Sequence, residues 1–105
     1  MDKLALTAKT LPIDILQDIR QVEAILLKYG VAKIILYGSL ARGDYRPDSD
    51  IDICVEGLPD KNYFRAIAEC LMTIQRRVSV LDFQKVQGYL RERILKEGEV
   101  IYERE

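Results

Sequence analysis

The sequence predicts a small α/β or α+β fold built around one β-sheet. Segments with apolar residues at helical spacing alternate with short apolar runs that end at turn residues. This alternation gives the element order α-β-α-β-α-β-α, which is typical of helices packed on a sheet. The length of 105 residues is that of one domain, with little room for a second. We therefore expect residues 1–105 to form a single domain.

The first helix is predicted from its apolar period and from the residues at its ends. Pro12 suits the first turn of a helix, Thr10 is a candidate N-cap, and Gly30 suits the C-terminal end. Residues 1–10 are expected to form a loose start. The residues that recur at helical spacing, and that we expect in the core, are Ile15, Ile19, Val22, Leu26 and Tyr29.

Two further helices are predicted in the same way. One begins after a cap at Asp60 or Asn62 and ends at Arg76-Arg77, whose charges suit a helix C-terminus. The other covers residues 88–96. The residues expected to face the core are Phe64, Ile67, Ala68, Leu71, Ile74 and Gln75 in the former helix, and Leu90, Ile94 and Leu95 in the latter.

Apolar runs between these helices predict the strands. Residues 31–37 carry one charge, at Lys33, and are expected to be largely buried. Residues 50–56 and 78–83 form the second and third strands, and the turn residues 57–60 end the second. Residues 100–102 form either a short edge strand or a docking tail.

The most informative stretch lies between the first two strands. Asp50 and Asp52 are two residues apart on a strand, so their side chains point to the same face. Paired carboxylates repel each other, and Mg²⁺ is the ion expected to relieve this, because it binds one or two carboxylates together with substrate phosphates. Gly38 permits close approach of a ligand to the backbone, and the Ser39 hydroxyl can hold a phosphate oxygen. The pattern predicts a nucleoside triphosphate between a Gly-Ser turn and a metal-bearing carboxylate pair.

This stretch resembles the signature of the nucleotidyltransferase superfamily related to DNA polymerase β. In that signature Gly-Ser is followed by ten residues and Asp-x-Asp, and here Gly38-Ser39 stands ten residues before Asp50-Ile51-Asp52. The runs Ala41-Arg42-Gly43 and Pro47-Asp48-Ser49 are also similar to those of minimal nucleotidyltransferases. A glycine turn with surface aspartates is the alternative, but it does not require this spacing. The resemblance implies a polymerase β-like fold, a small mixed sheet with helices packed mainly on one face.

The resemblance also implies roles for individual residues. Asp50 and Asp52 would be catalytic residues that bind Mg²⁺, and Gly38 and Ser39 would hold the phosphates of ATP. Arg42 would be either a phosphate contact or a solvent-facing loop cation. Such residues act by positioning the reactants and neutralising charge. Two metal ions about 3.5–4 Å apart can hold the attacking and leaving oxygens.

The family has a third carboxylate on the next strand, within a Val-Asp-Leu run. Alignment on the preceding helix end and on the tail puts Ser79 at the expected aspartate. Serine cannot serve as a carboxylate ligand or as a base, so the departure puts catalysis in question. Asp82, three residues later, faces the other side of a regular strand. It would join the metal site through a bulge, or else cap the turn at the end of the strand.

The resemblance extends to a biological role. Stand-alone minimal nucleotidyltransferases are paired with a helical HEPN toxin, a ribonuclease. The chain would then be an antitoxin of the MntA type, which transfers AMP from ATP to a tyrosine of the toxin with Mg²⁺. The alternative is a degenerate nucleotidyltransferase that neutralises its partner by binding alone. An edge strand near the tail could support an oligomer, but nothing requires one.

Composition bears on which other functions and locations are expected. The net charge of −1 gives no basic surface, so direct binding to nucleic acid is not expected. There is no apolar run long enough for a membrane span and no signal peptide, so we expect a cytoplasmic protein. Cys54 and Cys70 lack metal-binding spacing and are expected to be reduced core residues. The absence of histidine excludes histidine as a base, nucleophile or ligand.

Overall fold

The computed structural model describes residues 11–105, so the predicted loose start and the Thr10 cap lie outside the described residues. The helices are α1 (Ile13–Lys28), α2 (Ser39–Arg42), α3 (Asp60–Thr73) and α4 (Gly88–Glu97). The strands are β1 (Lys33–Tyr37), β2 (Ile51–Glu56), β3 (Val78–Asp82) and β4 (Glu99–Glu103), and a 3₁₀ turn covers Phe83–Lys85. The predicted alternation of helices and strands is confirmed. No helix in this part of the chain is long and apolar enough to cross a membrane.

The four strands form one mixed sheet in the order β3-β2-β1-β4. β1 pairs antiparallel with both β2 and β4, whereas β2 pairs parallel with β3 across the α3 crossover. β4 is therefore the edge strand that was one of the two predictions for residues 100–102. In the antiparallel β1–β2 pair Tyr37 lies opposite Asp52. β2 begins one residue later than predicted, so Asp50 lies at the end of the loop that precedes it. The Gly-Ser turn after β1 therefore meets Asp50 and Asp52 at one end of the sheet.

The two faces of the sheet are covered unequally. α1 and α3 cover one face, where Ile19, Ala66 and Ile53 belong to the main core. α4 lies on the opposite face, where Ile94 packs with Ile35 and the buried thiol of Cys54. The expected arrangement of helices mainly on one face is confirmed, and the free cysteines Cys54 and Cys70 are buried as predicted.

The predicted inward face of α3 is partly wrong. Phe64 and Leu71 are 79% and 62% exposed, and Ala68 and Gln75 are exposed as well. Two apolar stripes overlap on this helix, and the one that packs on the sheet has Ala66 and Cys70 at its fully buried positions. The Tyr63 hydroxyl also donates to the Val80 carbonyl and so fixes this rotation of the helix. The residues that face the core are Tyr63, Ala66, Ile67, Cys70 and Ile74.

The predicted face of α4 is also partly wrong. Ile94 is buried, but Leu90 is partly exposed and Leu95 is 64% exposed. α4 is a polar helix that reaches the sheet through a narrow stripe, and Arg91 stacks on Phe83 with 3.9 Å between its guanidinium carbon and the ring centroid. Leu90 instead lines the cavity described below.

The start of α3 differs from the prediction as well. The N-cap position is Pro59, and no side chain caps the helix, so neither Asp60 nor Asn62 is the N-cap. The Asn62 amide donates instead to the Tyr29 carbonyl at 2.9 Å. This bond satisfies a backbone group at the end of α1, which explains why Asn62 turns away from its own helix.

Candidate active site

One cavity of about 300 Å³ lies at one end of the sheet, beside the end of β1, the start of α2 and the start of β2. All of the residues that the signature assigned to the nucleotide and the metal lie in its wall. Three others were not predicted from the sequence. The lining residues are Tyr37, Gly38, Ser39, Arg42, Asp50, Asp52, Leu90 and Arg93.

Gly38 is required by the close approach of β1 and β2. Its φ of 76° lies in the left-handed region, which side chains disfavour. A Cβ added at Gly38 would fall on the carboxylate of Asp52. The absent side chain of Gly38 therefore allows the Asp52 carboxylate to lie against the turn that leads into Ser39.

Asp52 is the more buried of the two aspartates. Burial raises the pKa of its carboxyl group, the neighbouring charge of Asp50 raises it further, and Arg42 opposes both effects. An anion is therefore destabilised at Asp52 until a cation neutralises it. The described residues contain no group of three or more carboxylate, cysteine or histidine side chains that could hold a metal. A pair of carboxylates beside an open cavity fits Mg²⁺, which completes its coordination with water and phosphate oxygens.

The raised pKa of Asp52 predicts the pH dependence of stability in the absence of metal. The folded state favours the protonated carboxyl group, so this group supports folding below its unfolded pKa and loses that contribution as the pH rises through its folded pKa. We expect Asp52→Asn to be the more stable protein at neutral pH. The difference in stability between Asp52→Asn and the wild type should shrink as the pH falls towards 3.8, the ordinary pKa of an aspartic acid side chain. Thermal melts across pH in EDTA measure this difference.

The exposed residue Asp48 provides the control for that comparison. Asp48→Asn makes the same chemical change in the loop before β2 without removing a partly buried charge. The melting temperature of Asp48→Asn should follow the wild type at every pH. An Asp52→Asn protein that is less stable than the wild type at neutral pH would contradict the account.

Ser79 stands directly beside Asp52 in the parallel β2–β3 register. Tyr37 stands on the other side of Asp52, so the three side chains form a row across three strands. Burial and the Asp52 charge raise the pKa of Tyr37 to about 12, although a hydrogen bond with Ser79 opposes this. The position beside Asp52 on β3 therefore carries a hydroxyl group rather than a carboxylate.

The structure does not bring Asp82 to the cavity. Asp82 lies beside Val55 in the register and so has the strand parity opposite to that of Asp52. Its carboxylate accepts a hydrogen bond from the Gln84 amide at 3.0 Å and caps the 3₁₀ turn. No irregularity interrupts the β2–β3 register, so the bulge that a metal role would require is missing.

Arg42 and Arg93 share one carboxylate at the edge of the cavity. The Arg42 guanidinium donates to Glu97 at 3.1 Å and to Asp44 at 3.3 Å, and Arg93 donates to Glu97 at 3.4 Å. Desolvation acts against the ionised form of Glu97, but the hydrogen bonds from both arginines hold its pKa below the usual range. Arg42 is thus neither free in solvent nor committed to a single partner.

Sequence reasoning missed Tyr37, Leu90 and Arg93. Leu90 and Arg93 are three residues apart, so they share one face of α4. That spacing indicates a common face, but no pattern in the sequence indicates that this face meets the end of β1. Tyr37 was assigned to the first strand without a role, because its position opposite Asp52 depends on the register.

Comparison with known proteins agrees with this site. Residues 20–105 match the family described as polymerase beta, nucleotidyltransferase. Two proteins of Methanocaldococcus jannaschii, both described as candidate protein adenylyltransferases, are each 35% identical to this chain, over 82 and 92 residues. These matches cover 75% and 77% of this chain and 88% and 90% of the relatives. The chain belongs to the polymerase β-like nucleotidyltransferase family.

Solved structures confirm the fold. A toxin–antitoxin complex with AMP-PNP contains a chain with a TM-score of 0.68 and 19% identity, covering 80% of this chain and 72% of that one. A candidate minimal nucleotidyltransferase has a TM-score of 0.64 and 25% identity, covering 85% of this chain and 95% of its own. A complex of a tri-AMPylated Shewanella oneidensis HEPN toxin with its MNT antitoxin gives a TM-score of 0.63 and 16% identity, covering 83% and 71%.

Proposed function

We propose that this protein is a Mg²⁺-dependent adenylyltransferase that moves AMP from ATP to a tyrosine hydroxyl of a partner HEPN toxin and so acts as its antitoxin. The observation that carries the proposal is the single cavity in which Gly38 and Ser39 face the Asp50–Asp52 pair. Family relatives described as protein adenylyltransferases support the reaction class. The fold neighbour in complex with an AMPylated HEPN toxin supports the kind of partner.

The reaction needs positioning and charge neutralisation more than covalent chemistry by the protein. The acceptor oxygen bonds to the α-phosphorus, the bond from that phosphorus to the bridging oxygen breaks, and pyrophosphate leaves. The hydroxyl proton passes to solvent, because Ser79 offers no carboxylate to receive it. Asp50 and Asp52 would hold Mg²⁺, which would supply charge neutralisation at the phosphates.

The remaining cavity residues would hold the nucleotide. The Gly38 backbone and the Ser39 hydroxyl are placed to bind phosphate oxygens next to the carboxylate pair. Arg42 and Arg93 lie at the α4 end of the cavity, where Glu97 accepts from both guanidinium groups and Asp44 accepts from Arg42. A guanidinium can exchange such a carboxylate for a phosphate with similar geometry. The wall therefore carries the carboxylates of Asp50 and Asp52 at one end and two guanidinium groups at the α4 end, which suits a metal–triphosphate.

One observation supports a second candidate function, neutralisation of the partner by binding. Ser79 occupies the position beside Asp52 on β3, and the described residues provide no third carboxylate in its place. A site with two carboxylates can bind Mg²⁺ and a nucleotide without the usual base. The protein would then neutralise its partner by contact alone, and no AMP would be transferred.

Restoring a carboxylate at this position should strengthen the site. Ser79→Asp would place a third carboxylate beside Asp52, and we expect the apparent affinity for Mg²⁺ to rise on the order of tenfold. Without metal the same change should lower the melting temperature, because it adds a like charge next to Asp52. Titration of Mn²⁺ binding and of the transfer rate against Mg²⁺ concentration measures the effect.

Ser79→Asn is the matched control, because it has nearly the same shape as aspartate and no charge. It should leave Mg²⁺ affinity at the wild-type value or lower it. Equal metal affinity in Ser79→Asp and Ser79→Asn would show that position 79 does not face the metal.

The proposed activity is tested by following each phosphate of ATP separately. The protein and the partner encoded beside it are incubated with Mg²⁺ and ATP labelled at either the α- or the γ-phosphate. Transfer of AMP predicts label on the partner from α-labelled ATP and none from γ-labelled ATP. Label from the γ-phosphate would indicate a kinase, and no label from either would favour neutralisation by binding.

A further inference from the structure

We propose that Arg76 is a positioning residue for the metal site: its guanidinium holds the loop that carries Asp50. Arg76 lies between the end of α3 and the start of β3, 26 residues after Asp50 in the chain. The inference rests on the proposed function in one respect, namely that Asp50 is a metal ligand. It assigns a role to a residue outside the nucleotidyltransferase signature.

The first observation is the contact between Arg76 and the backbone of the loop. Nη1 of Arg76 donates to the Pro47 carbonyl at 2.8 Å and to the Ser49 carbonyl at 2.9 Å. Ser49 directly precedes Asp50, so the second bond fixes the peptide group that joins the two residues. The Arg76 side chain is only 10% exposed, and its bond to Ser49 is partly buried, whereas its bond to Pro47 is exposed.

The second observation is that Arg76 is itself held from the other side. Its Nε donates to Asp18 at 3.0 Å, and its Nη2 lies 3.6 Å from the Asp14 carboxylate. Both aspartates lie on α1, whose neighbouring residues Ile15 and Ile19 are fully buried in the main core. The guanidinium therefore links the exposed loop to α1, a helix that packs in the core.

The third observation concerns the other neighbour of Asp50. The Ile51 amide donates to the Arg77 carbonyl at 2.9 Å. Residues 76 and 77 thus bind the chain immediately before and immediately after Asp50. The Asp50 residue itself is exposed, and its placement depends on these flanking bonds.

Geometry rather than charge is the expected basis of the effect. The Arg76 charge pairs with Asp14 and Asp18 of α1, and its bonds to the loop go to backbone carbonyls. Mg²⁺ demands nearly ideal octahedral geometry, so the position of each ligand matters. A misplacement of about 1 Å in an active site can lower the reaction rate on the order of 10²-fold. A guanidinium can bond both carbonyls and a carboxylate at once, whereas an ammonium group of the same charge lacks the planar fork.

The test compares Arg76→Lys with Arg77→Lys in the full-length protein. Arg77 contacts the loop through its backbone carbonyl, so Arg77→Lys keeps that contact and serves as the matched control. The measurements are Mn²⁺ affinity, amide hydrogen exchange in residues 44–52, and the melting temperature. We expect Arg76→Lys to weaken Mn²⁺ binding about 10- to 100-fold, the usual effect of losing an outer-shell partner. Amide hydrogen exchange in residues 44–52 should be faster in Arg76→Lys than in the wild type. Arg77→Lys should match the wild type in all three measurements.

A purely structural role predicts a different outcome. In that case Arg76→Lys would lower the melting temperature while Mn²⁺ affinity and loop exchange stayed within twofold of the wild type, and the inference would be wrong. If Arg76→Lys does not fold, Asp18→Ala provides a second test, because it removes the acceptor of the Nε bond and leaves Asp14, at 3.6 Å, as the remaining partner of the guanidinium on α1. Failure of the wild type to bind Mn²⁺ would overturn the proposed metal site, and this inference with it.

Discussion

Replacing Asp52 with asparagine is expected to abolish AMP transfer while leaving the complex with the partner intact. Asp52 lines the cavity, lies against Gly38, and stands between Tyr37 and Ser79 in the sheet. Asparagine keeps the shape of the side chain but cannot neutralise a metal ion. Loss of one preorganised charge-stabilising group costs about 10²–10³-fold in rate, and a metal ligand should cost at least that. The transfer rate from α-labelled ATP and size-exclusion chromatography of the complex measure the two properties.

Asp48→Asn controls for the loss of a negative charge near β2. Asp48 is exposed and is absent from the wall of the cavity. The transfer rate of the Asp48→Asn variant should therefore stay near the wild-type value. The account would be contradicted if Asp52→Asn retained wild-type transfer. It would also be contradicted if Asp48→Asn lost as much activity as Asp52→Asn.

Replacing Gly38 with alanine is expected to have the second largest effect. The added methyl group would occupy the position of the Asp52 carboxylate, so the carboxylate must move away from the turn. Alanine must also adopt a φ of 76° with a ψ of −156°, a conformation that is essentially restricted to glycine and costs on the order of 1–3 kcal/mol. We expect a lower melting temperature and a fall in transfer on the order of 10²-fold, as for a misplaced catalytic group.

Gly43→Ala separates the two causes. Gly43 also has a positive φ, of 94°, but a Cβ there would meet no atom within 4 Å. Both variants place a methyl group on a residue with a positive φ, and only Gly38→Ala displaces Asp52. Gly43 is in the left-handed αL region, with a ψ of 0°, which alanine tolerates better than the conformation of Gly38, so Gly43→Ala should be destabilised less and should keep most of its transfer activity. Equal loss of transfer in both variants would show that the clash with Asp52 is unimportant.

The core of the candidate site could be predicted because it is local in the chain. Gly38 and Asp52 belong to neighbouring strands joined by one short connection, so the spacing of the signature nearly determines their meeting. The position of Ser79 followed from alignment with the family on the preceding helix end and on the tail, and the β2–β3 register places it beside Asp52. Sequence reasoning could also place Asp82 on the opposite face, because side chains alternate along a regular strand.

Other parts of the site depend on contacts that leave no pattern in the sequence. Arg93 and Leu90 enter the cavity from α4, and the narrow apolar stripe of that helix does not reveal which way it faces. The bonds from Arg76 join a side chain to backbone carbonyls, which any residue type provides. The rotation of α3 was predicted wrongly because two apolar stripes overlap, and the larger side chains of Phe64 and Leu71 were given too much weight.

The intact mass of the partner protein tests the central claim most directly. The wild-type protein is incubated with the protein encoded beside it, ATP and Mg²⁺, and the partner is then weighed by mass spectrometry. The account predicts a gain of one or more AMP units, located on a tyrosine and absent when Asp52→Asn replaces the wild type. An unchanged mass with a stable complex would contradict transfer and would identify a nucleotidyltransferase fold that acts by binding alone.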